Sequence, residues 1–274
     1  MSEIVRDLTS ATLIEALEAN FTEEMASFGR GLPGAILHED EELLWFYTGR
    51  RHLNGVLRTQ FKSEEKVYVD RRIRETMGYF QAHHVSLGWA VGPGAKPDNL
   101  GEHLKAHGMK HTSETPGMAL ALAEAELEQS EIEDFEIREA QDRQELRPLC
   151  DIEMLGFGSS EETAENYYET YCNIGFGPGT AWRHYIGWLQ NVPVASASLL
   201  LHAGVAGIYG VSTVPDARNK GIATAMTKHV LREAKALGYA VAVLSPSDMS
   251  IRIYQGLGFQ HYCTLHHYGW TPVS

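Results

Sequence analysis

Five apolar residues, Ile222, Met226, Val230, Ala234 and Leu237, recur at helical spacing, and Gly238 follows where a left-handed cap closes a helix. Short apolar runs flank this segment on both sides, so the helix is expected to lie on a sheet. The runs read as strands near 181–190, 193–202 and 206–214 before it and 239–244 after it. A strand at 135–138 and helices at 142–154 and 160–171 precede them, and a helix at 248–257 and a last hairpin through 262–270 follow. Strands alternating with helices predict an α/β domain with a mixed sheet.

The first half repeats part of that order, with a helix at 13–28, strands near 35–38, 43–47 and 55–61, a helix at 64–82 and a strand at 85–91. Segment 97–109 (PDNLGEHLKAHGM) aligns without gaps to 247–259 (SDMSIRIYQGLGF), sharing Asp98/Asp248, Gly108/Gly258 and an apolar residue after the glycine. Each follows an apolar strand and precedes another, the context of a duplicated unit. Between them 124–134 (EAELEQSEIED) carries six acids without glycine or proline and reads as the junction. The expected domains are therefore 1–130 and 131–274.

With 36 acidic against 23 basic residues the net charge is −13, which disfavours nucleic acid and anionic membranes as partners and welcomes a cationic small substrate. Cys150, Cys172 and Cys263 have no metal-pair spacing and are too few for a disulfide framework, which fits a reduced cytoplasm. The start MSEIVRDLTS lacks the pattern of a signal peptide, and no apolar run reaches the roughly 18 residues of a membrane helix. The sequon Asn20-Phe21-Thr22 is read as chance in that setting.

The chemistry concentrates in 211–224 (VSTVPDARNKGIAT), where a strand ends, a basic loop follows and the long helix begins. No acid occurs from Ala217 through Leu231. A helix start offers unpaired N–H groups and the positive end of its dipole, and glycine lets a phosphate approach the backbone. Taken alone, Arg218 and Lys220 would be solvated charges at a cap. A Walker A loop needs Gly-Lys-Ser/Thr and the chain has Lys220-Gly221-Ile222, and no GxGxxG stands at this junction, so nucleotide triphosphatase and dinucleotide readings fall away.

Arg218-Asn219-Lys220-Gly221-Ile222-Ala223 after an apolar strand resembles the pyrophosphate loop of the GNAT (GCN5-related) N-acetyltransferase superfamily, (Arg/Gln)-x-x-Gly-x-(Gly/Ala). Tyr254-Gln255-Gly256-Leu257-Gly258-Phe259 resembles that family's Tyr-x-x-x-Gly-Phe. The resemblance spans about 135–270 and, with the repeat, implies two GNAT-like domains in tandem, the first degenerate. It implies acetyl-CoA as co-substrate, no metal, and transfer of an acetyl group to a primary amine of a small molecule or peptide. Backbone groups of Val211, Ser212 and Thr213 would hold the pantetheine arm and acetyl carbonyl, and the amides of Asn219, Lys220, Gly221, Ile222, Ala223 and Thr224 the pyrophosphate. Tyr254 would protonate the departing thiolate. Ser247 stands where the family commonly has an asparagine on the cofactor, and a hydroxyl can still make that contact.

Many relatives place a carboxylate base on a central strand, and 206–215 and 239–244 contain none. Tyr209, Ser212, His202, Glu161, Glu162, Glu165 or a water chain stay open for that role. His103, His107 and His111 are not read as a metal site, because no Glu-x-x-His context surrounds them and Gly108 should end the helix before His111. His83-His84 and His266-His267 read as surface pairs, and Trp182 and Trp188 as core or acceptor-pocket walls. The first half runs from its strand through Lys62-Ser63-Glu64-Glu65 into a helix, with no glycine and two acids where phosphate would sit, and Leu104 stands opposite Tyr254. A structural or substrate-shaping role is expected for it. A non-catalytic acyl-CoA sensor, or a transferase for another acyl group or an oxygen acceptor, remains as the alternative.

Overall fold

The computed structural model describes residues 3–128, 132–247 and 249–272. In chain order its elements are α1 (Ser10–Gly31), β1 (Ile36–Glu39), β2 (Leu43–Tyr47), β3 (Asn54–Thr59), α2 (Lys66–Ala82), β4 (Leu87–Val91), α3 (Leu100–Ala106) and β5 (Lys110–Ala121). They continue with β6 (Phe135–Glu139), α4 (Arg143–Phe157), α5 (Glu161–Ile174), β7 (Trp182–Leu189), β8 (Val192–His202), β9 (Val205–Thr213), α6 (Ile222–Ala236), β10 (Val241–Leu244), α7 (Ile251–Gly256) and β11 (Gln260–Trp270). The chain divides into two compact units, one of residues 1–21 and 118–262, the other of 22–117 and 263–274.

The larger unit carries strands in the order β5-β10-β9-β8-β7-β6. All neighbours are antiparallel except β10 and β9, which run parallel. Alternation along the strands sends Tyr185, Ala197, Leu199, Ala206 and Ile208 to one face, where they pack with Ile222, Met226, Val230, Leu231 and Ala234 of α6. Trp182, Ile186 and Leu200 face the other way and pack with Leu146, Leu149, Cys150 and Ile152 of α4 and Ala164 and Tyr171 of α5. Each large aliphatic side chain among them contributes about 1.5–3 kcal/mol on removal from water, so these two layers hold the sheet between them.

Local signals fix the helices. Asp142 accepts from the amides of Gln144 and Glu145 to start α4, and Gly158 ends it at φ +67°. Ser160 caps α5 by accepting from Thr163 N. Asn20 of the sequon is fully buried: its Nδ2 donates to Leu200 O and His202 O, and its Oδ1 accepts from Tyr209 Oη. Its amide is thus used in the fold.

The smaller unit orders its strands β1-β2-β3-β4-β11-β5, with β3 and β4 parallel and a core of Leu43, Val56, Val69, Ile73, Phe80, Leu87, Trp89, Leu100 and Leu104. Three sequence expectations change. The closing hairpin at 262–270 is one uninterrupted strand, because no turn pair interrupts it and His266–Trp270 pair residue by residue with Val91–Leu87 of β4. The last helix is Ile251–Gly256, shorter than 248–257, and Asp248 lies outside the described residues. The units do not meet at a single cut near residue 130, a point also outside the described residues. The chain's first 21 residues go with the second half and its last 12 with the first, because strand pairing and the buried Asn20 bonds, not chain order, decide membership.

Candidate functional site

The basic loop lies in the larger unit, and its geometry begins in β9. Beside β10, pairing runs only through Ala242↔Ala206 and Val243↔Gly207. β10 ends at Leu244 and continues to pair with β5 on its other side, whereas β9 runs on to Thr213. The two parallel strands therefore part after Gly207, and 208–213 keep a ladder on the β8 side alone. Within that stretch the register slips: Ser198 opposes Tyr209 and Ser196 opposes Ser212, so Gly210 and Val211 face the single residue Ala197. This is a β-bulge, a device that re-aims backbone groups. Gly210 takes φ +57°, a conformation costly to any residue with a Cβ, and its carbonyl accepts from Ser196 Oγ at 2.8 Å.

Beyond Thr213 a short turn at Pro215–Ala217 leads into the loop. Arg218 is pinned, with Nε donating to Thr213 O at 3.1 Å and Nη2 to Gly156 O at 2.7 Å. Its role is to tie the strand end to α4, which the sequence pattern alone does not show. Asn219 (φ +62°) and Gly221 (φ +76°) are both left-handed. The first α6 bond is Ala225 N to Gly221 O, the start of α6 has no side-chain cap and its first turn no acid. The amides of 221–224 thus precede the helical ladder, and a Cβ placed on Gly221 would meet nothing within 4 Å. An open, uncapped, acid-free helix start leaves its N–H groups unpaired at the positive end of the helix dipole.

Tyr254, on α7, is 7% exposed and packs edge-on to Phe259. Burial pushes its phenol up to about 12, against a hydrogen bond with Thr227 of α6 that lowers it. Ser247 is exposed and shares a hydrogen bond with Ser250 Oγ. Ile222 is 1% exposed in the core, so its amide, not its side chain, is what the loop offers.

The candidates for a base are separated by the structure. Tyr209 directs its proton to Asn20 Oδ1, and Ser212 Oγ donates to Ile152 O. Glu165 is exposed and paired with Arg147 at 2.6 Å, and Glu161 and Glu162 lie exposed in the first turn of α5. The residue missed from sequence is Glu153 of α4, buried to 7% exposure. A Cβ built on Gly210 would fall 2.0 Å from its Oε1 and 2.9 Å from its Cδ, so the Glu153 carboxylate occupies the side-chain space of the bulge. One signal was available: Glu153 stands three and four residues after Cys150 and Leu149, on the apolar face of an amphipathic helix.

His184 is fully buried, bonded through Nδ1 to Ser198 Oγ at 2.7 Å and ringed by Tyr171, Phe176 and Trp182. Burial depresses it to about 3, so the imidazole is neutral. Trp182 is core, and Trp188 lies under the Arg138 guanidinium. In the smaller unit His103 and His107 both reach Asp70 Oδ1, at 2.9 and 3.2 Å, and Gly108 is left-handed just after α3. His111 instead approaches Glu114 and His266, all three ligand atoms lying within 4.8 Å of one another at exposed or half-buried positions.

Residues 202–262, from the end of β8 through β9, the loop, α6, β10 and α7 into β11, match the acetyltransferase (GNAT) domain family model. No curated protein sequence matches. A GCN5-related N-acetyltransferase from Kribbella flavida superposes with TM-score 0.72 at 19% identity, covering 94% of this chain and 96% of its own. One from Sphaerobacter thermophilus gives 0.67 at 14%, covering 98% and 94%. A tandem GNAT protein from the clavulanic acid biosynthesis pathway gives 0.66 at 11%, covering 98% and 97%. The fold is that of the GNAT N-acetyltransferases, a mixed α/β architecture, and one of these similar structures is a tandem protein. Among the described residues no helix is long and apolar enough to cross a membrane.

Proposed function

We propose that the larger unit transfers an acetyl group from acetyl-CoA to the primary amine of a small molecule or peptide, in a reducing cytoplasm that suits the three free cysteines. The observation that carries this reading is the uncapped, acid-free start of α6 immediately beyond the point where β9 leaves β10. Amides of Asn219–Thr224 then take the pyrophosphate, and the backbone of Val211–Thr213 holds the pantetheine arm and acetyl carbonyl in the opening. Donors fixed there favour the oxyanion that develops during attack over the ground-state carbonyl. No metal enters this chemistry.

Tyr254 faces the leaving sulfur. A thiol titrates near 8.5, so full proton transfer from a phenol near 12 runs uphill by about 3–4 pKa units in the resting site. Tyr254 therefore acts first as a hydrogen-bond donor to the developing thiolate and gives up its proton as the C–S bond breaks. The acidic chain, at −13, favours a cationic acceptor over nucleic acid. The test is thiol release from acetyl-CoA against a panel of amines, amino acids, polyamines and peptide N-termini. Release with at least one class supports transfer. Tight acetyl-CoA binding without release across the panel would favour the sensor reading.

A further inference from the structure

We infer that Glu153 is the proton acceptor of this site, an inference that rests on the acyl-transfer reading of the larger unit. Any amine that attacks a thioester becomes positively charged at nitrogen and must lose a proton before the amide is complete. The strands beside the opening supply no carboxylate, and α4 supplies one from the flank. Its helix is held at both ends by the Asp142 cap and left-handed Gly158, and pinned to β9 by the Arg218 bond to Gly156 O. Gly156 itself leaves no room for a Cβ against Ser212 Oγ. The placement of Glu153 over Gly210 is thus fixed by several close contacts at once.

Burying a carboxylate is costly in any fold, and here it stands in the space that a side chain at 210 would fill. Val211, whose backbone takes the acetyl carbonyl in the proposed complex, is the next residue, about 3.8 Å along the chain. The carboxylate therefore stands beside the backbone that the proposed complex gives to the acetyl carbonyl. Tyr209 and Ser212, the polar side chains flanking the bulge, are committed to Asn20 and Ile152. Other titratable groups around α4 are Cys150, Asp151 and the Glu165-paired Arg147 on the helix itself, Tyr167, Tyr168, Tyr171 and Cys172 from α5, His184 from β7, Tyr209 from β9 and Arg218, whose guanidinium is held by Gly156 O and Thr213 O. Thiols and phenols are uncharged at neutral pH, and His184 is held neutral by burial.

In the step, the amine nitrogen bonds to the acetyl carbon and its proton passes to Glu153 Oε1. The carbonyl reforms, the C–S bond breaks with its electron pair on sulfur, and sulfur takes the Tyr254 proton. Glu153 returns its proton through solvent to the tyrosinate.

Glu153→Gln keeps the shape and removes the acceptor. Calorimetry should find acetyl-CoA affinity within about twofold of wild type, while kcat/KM for the amine falls by about 10²–10³-fold and loses the low-pH limb that ionisation of Glu153 gives the wild type. Wild-type turnover with an unchanged pH profile would overturn the assignment. Should circular dichroism show Glu153→Gln unfolded, Glu153→Asp decides instead: a lower kcat with the limb retained supports it, and an unchanged kcat overturns it. A wild-type chain that binds acetyl-CoA but acetylates no amine would overturn the acyl-transfer reading itself.

Discussion

The two units contain the same junction, a strand running parallel to its neighbour and then turning into a helix, and they finish it differently. In the larger unit β9 leaves β10 and the helix start beyond is open. In the smaller unit β3 and β4 pair through Gly55↔Gly88 and Val56↔Trp89, and the gap beyond is closed. Lys96 N donates to Thr59 O, Phe61 N to Lys96 O, and the Trp89 indole to Thr59 Oγ1. The loop amide of Lys62 already has an anion, Glu42 Oε1 at 2.7 Å, which also accepts from Tyr68 Oη, while Arg72 Nε lies 2.9 Å from its Oε2. Burial would raise the Glu42 carboxyl, but Tyr68, Lys62 and Arg72 outweigh it and hold it below the usual range. One junction leaves its helix-start amides uncapped, and the other satisfies an amide with its own carboxylate. The repeat segments keep the same turn, with Met109 N bonded to Leu104 O and Phe259 N to Tyr254 O. The side chain at the matching place is leucine in one and tyrosine in the other.

Filling the open junction should have the largest effect. Gly221→Glu adds bulk and negative charge at the helix start, and acetyl-CoA affinity measured by calorimetry should fall by more than about 100-fold. The fold should survive, because a Cβ at 221 meets no atom within 4 Å and the left-handed backbone costs roughly 1–2 kcal/mol. Unchanged affinity in the folded variant would remove this loop from the site. Tyr254→Phe makes the second repeat resemble the first at its distinguishing atom. A drop in kcat of about 10–100-fold, with acetyl-CoA affinity little changed and about 1 kcal/mol of stability lost with the Thr227 bond, would mark the hydroxyl as chemical; wild-type turnover with chemistry rate-limiting would mark it as packing.

Opening the closed junction should cost stability and give nothing back. Glu42→Gln takes the carboxylate from Arg72 Nε, leaving that side chain with Glu75 and Asp40, and weakens the bonds to Lys62 and Tyr68, so urea unfolding should report a loss of about 1–2 kcal/mol. No second acetyl-CoA site should arise, since Lys96 and Trp89 still close the gap. A gained site would mean that Glu42 alone separates the halves.

The smallest effect is one of pH. His184 stays neutral in the folded unit while the unfolded chain takes up a proton below its ordinary value of 6.5. The unfolded state then binds more protons, so stability present above 6.5 is lost as pH falls from 6.5 toward 3. Between pH 7 and 5 His184 contributes a loss on the order of 1–2 kcal/mol. His184→Asn should flatten that slope in unfolding curves, and an unchanged slope would assign it elsewhere. In the smaller unit the depressed Asp40 (about 2) and Glu42 lose their contribution in a lower window, from the usual carboxylate range downward.

Much of this was legible because the relevant signals are local. The 3.6-residue period through Ile222–Leu237 and the acid-free run after Ala217 name the helix and its start without any tertiary information. Glu42 was not legible, because twenty residues separate it from the amide of Lys62. The sequence pointed instead to Glu64 and Glu65, which are exposed. Glu153 was hidden for a similar reason: only the bulge at Gly210, created by pairing with β8, gives its carboxylate a place. The exchange of 1–21 and 263–274 between the units follows from long-range hydrogen bonds that no local pattern records.

Isothermal titration of the intact chain with acetyl-CoA tests the contrast between the junctions most directly. One site per chain is predicted, absent in Gly221→Glu and unaltered in number in Glu42→Gln. Two equivalent sites, or one that survives Gly221→Glu in a folded protein, would contradict the assignment of the open junction as the acyl-CoA site.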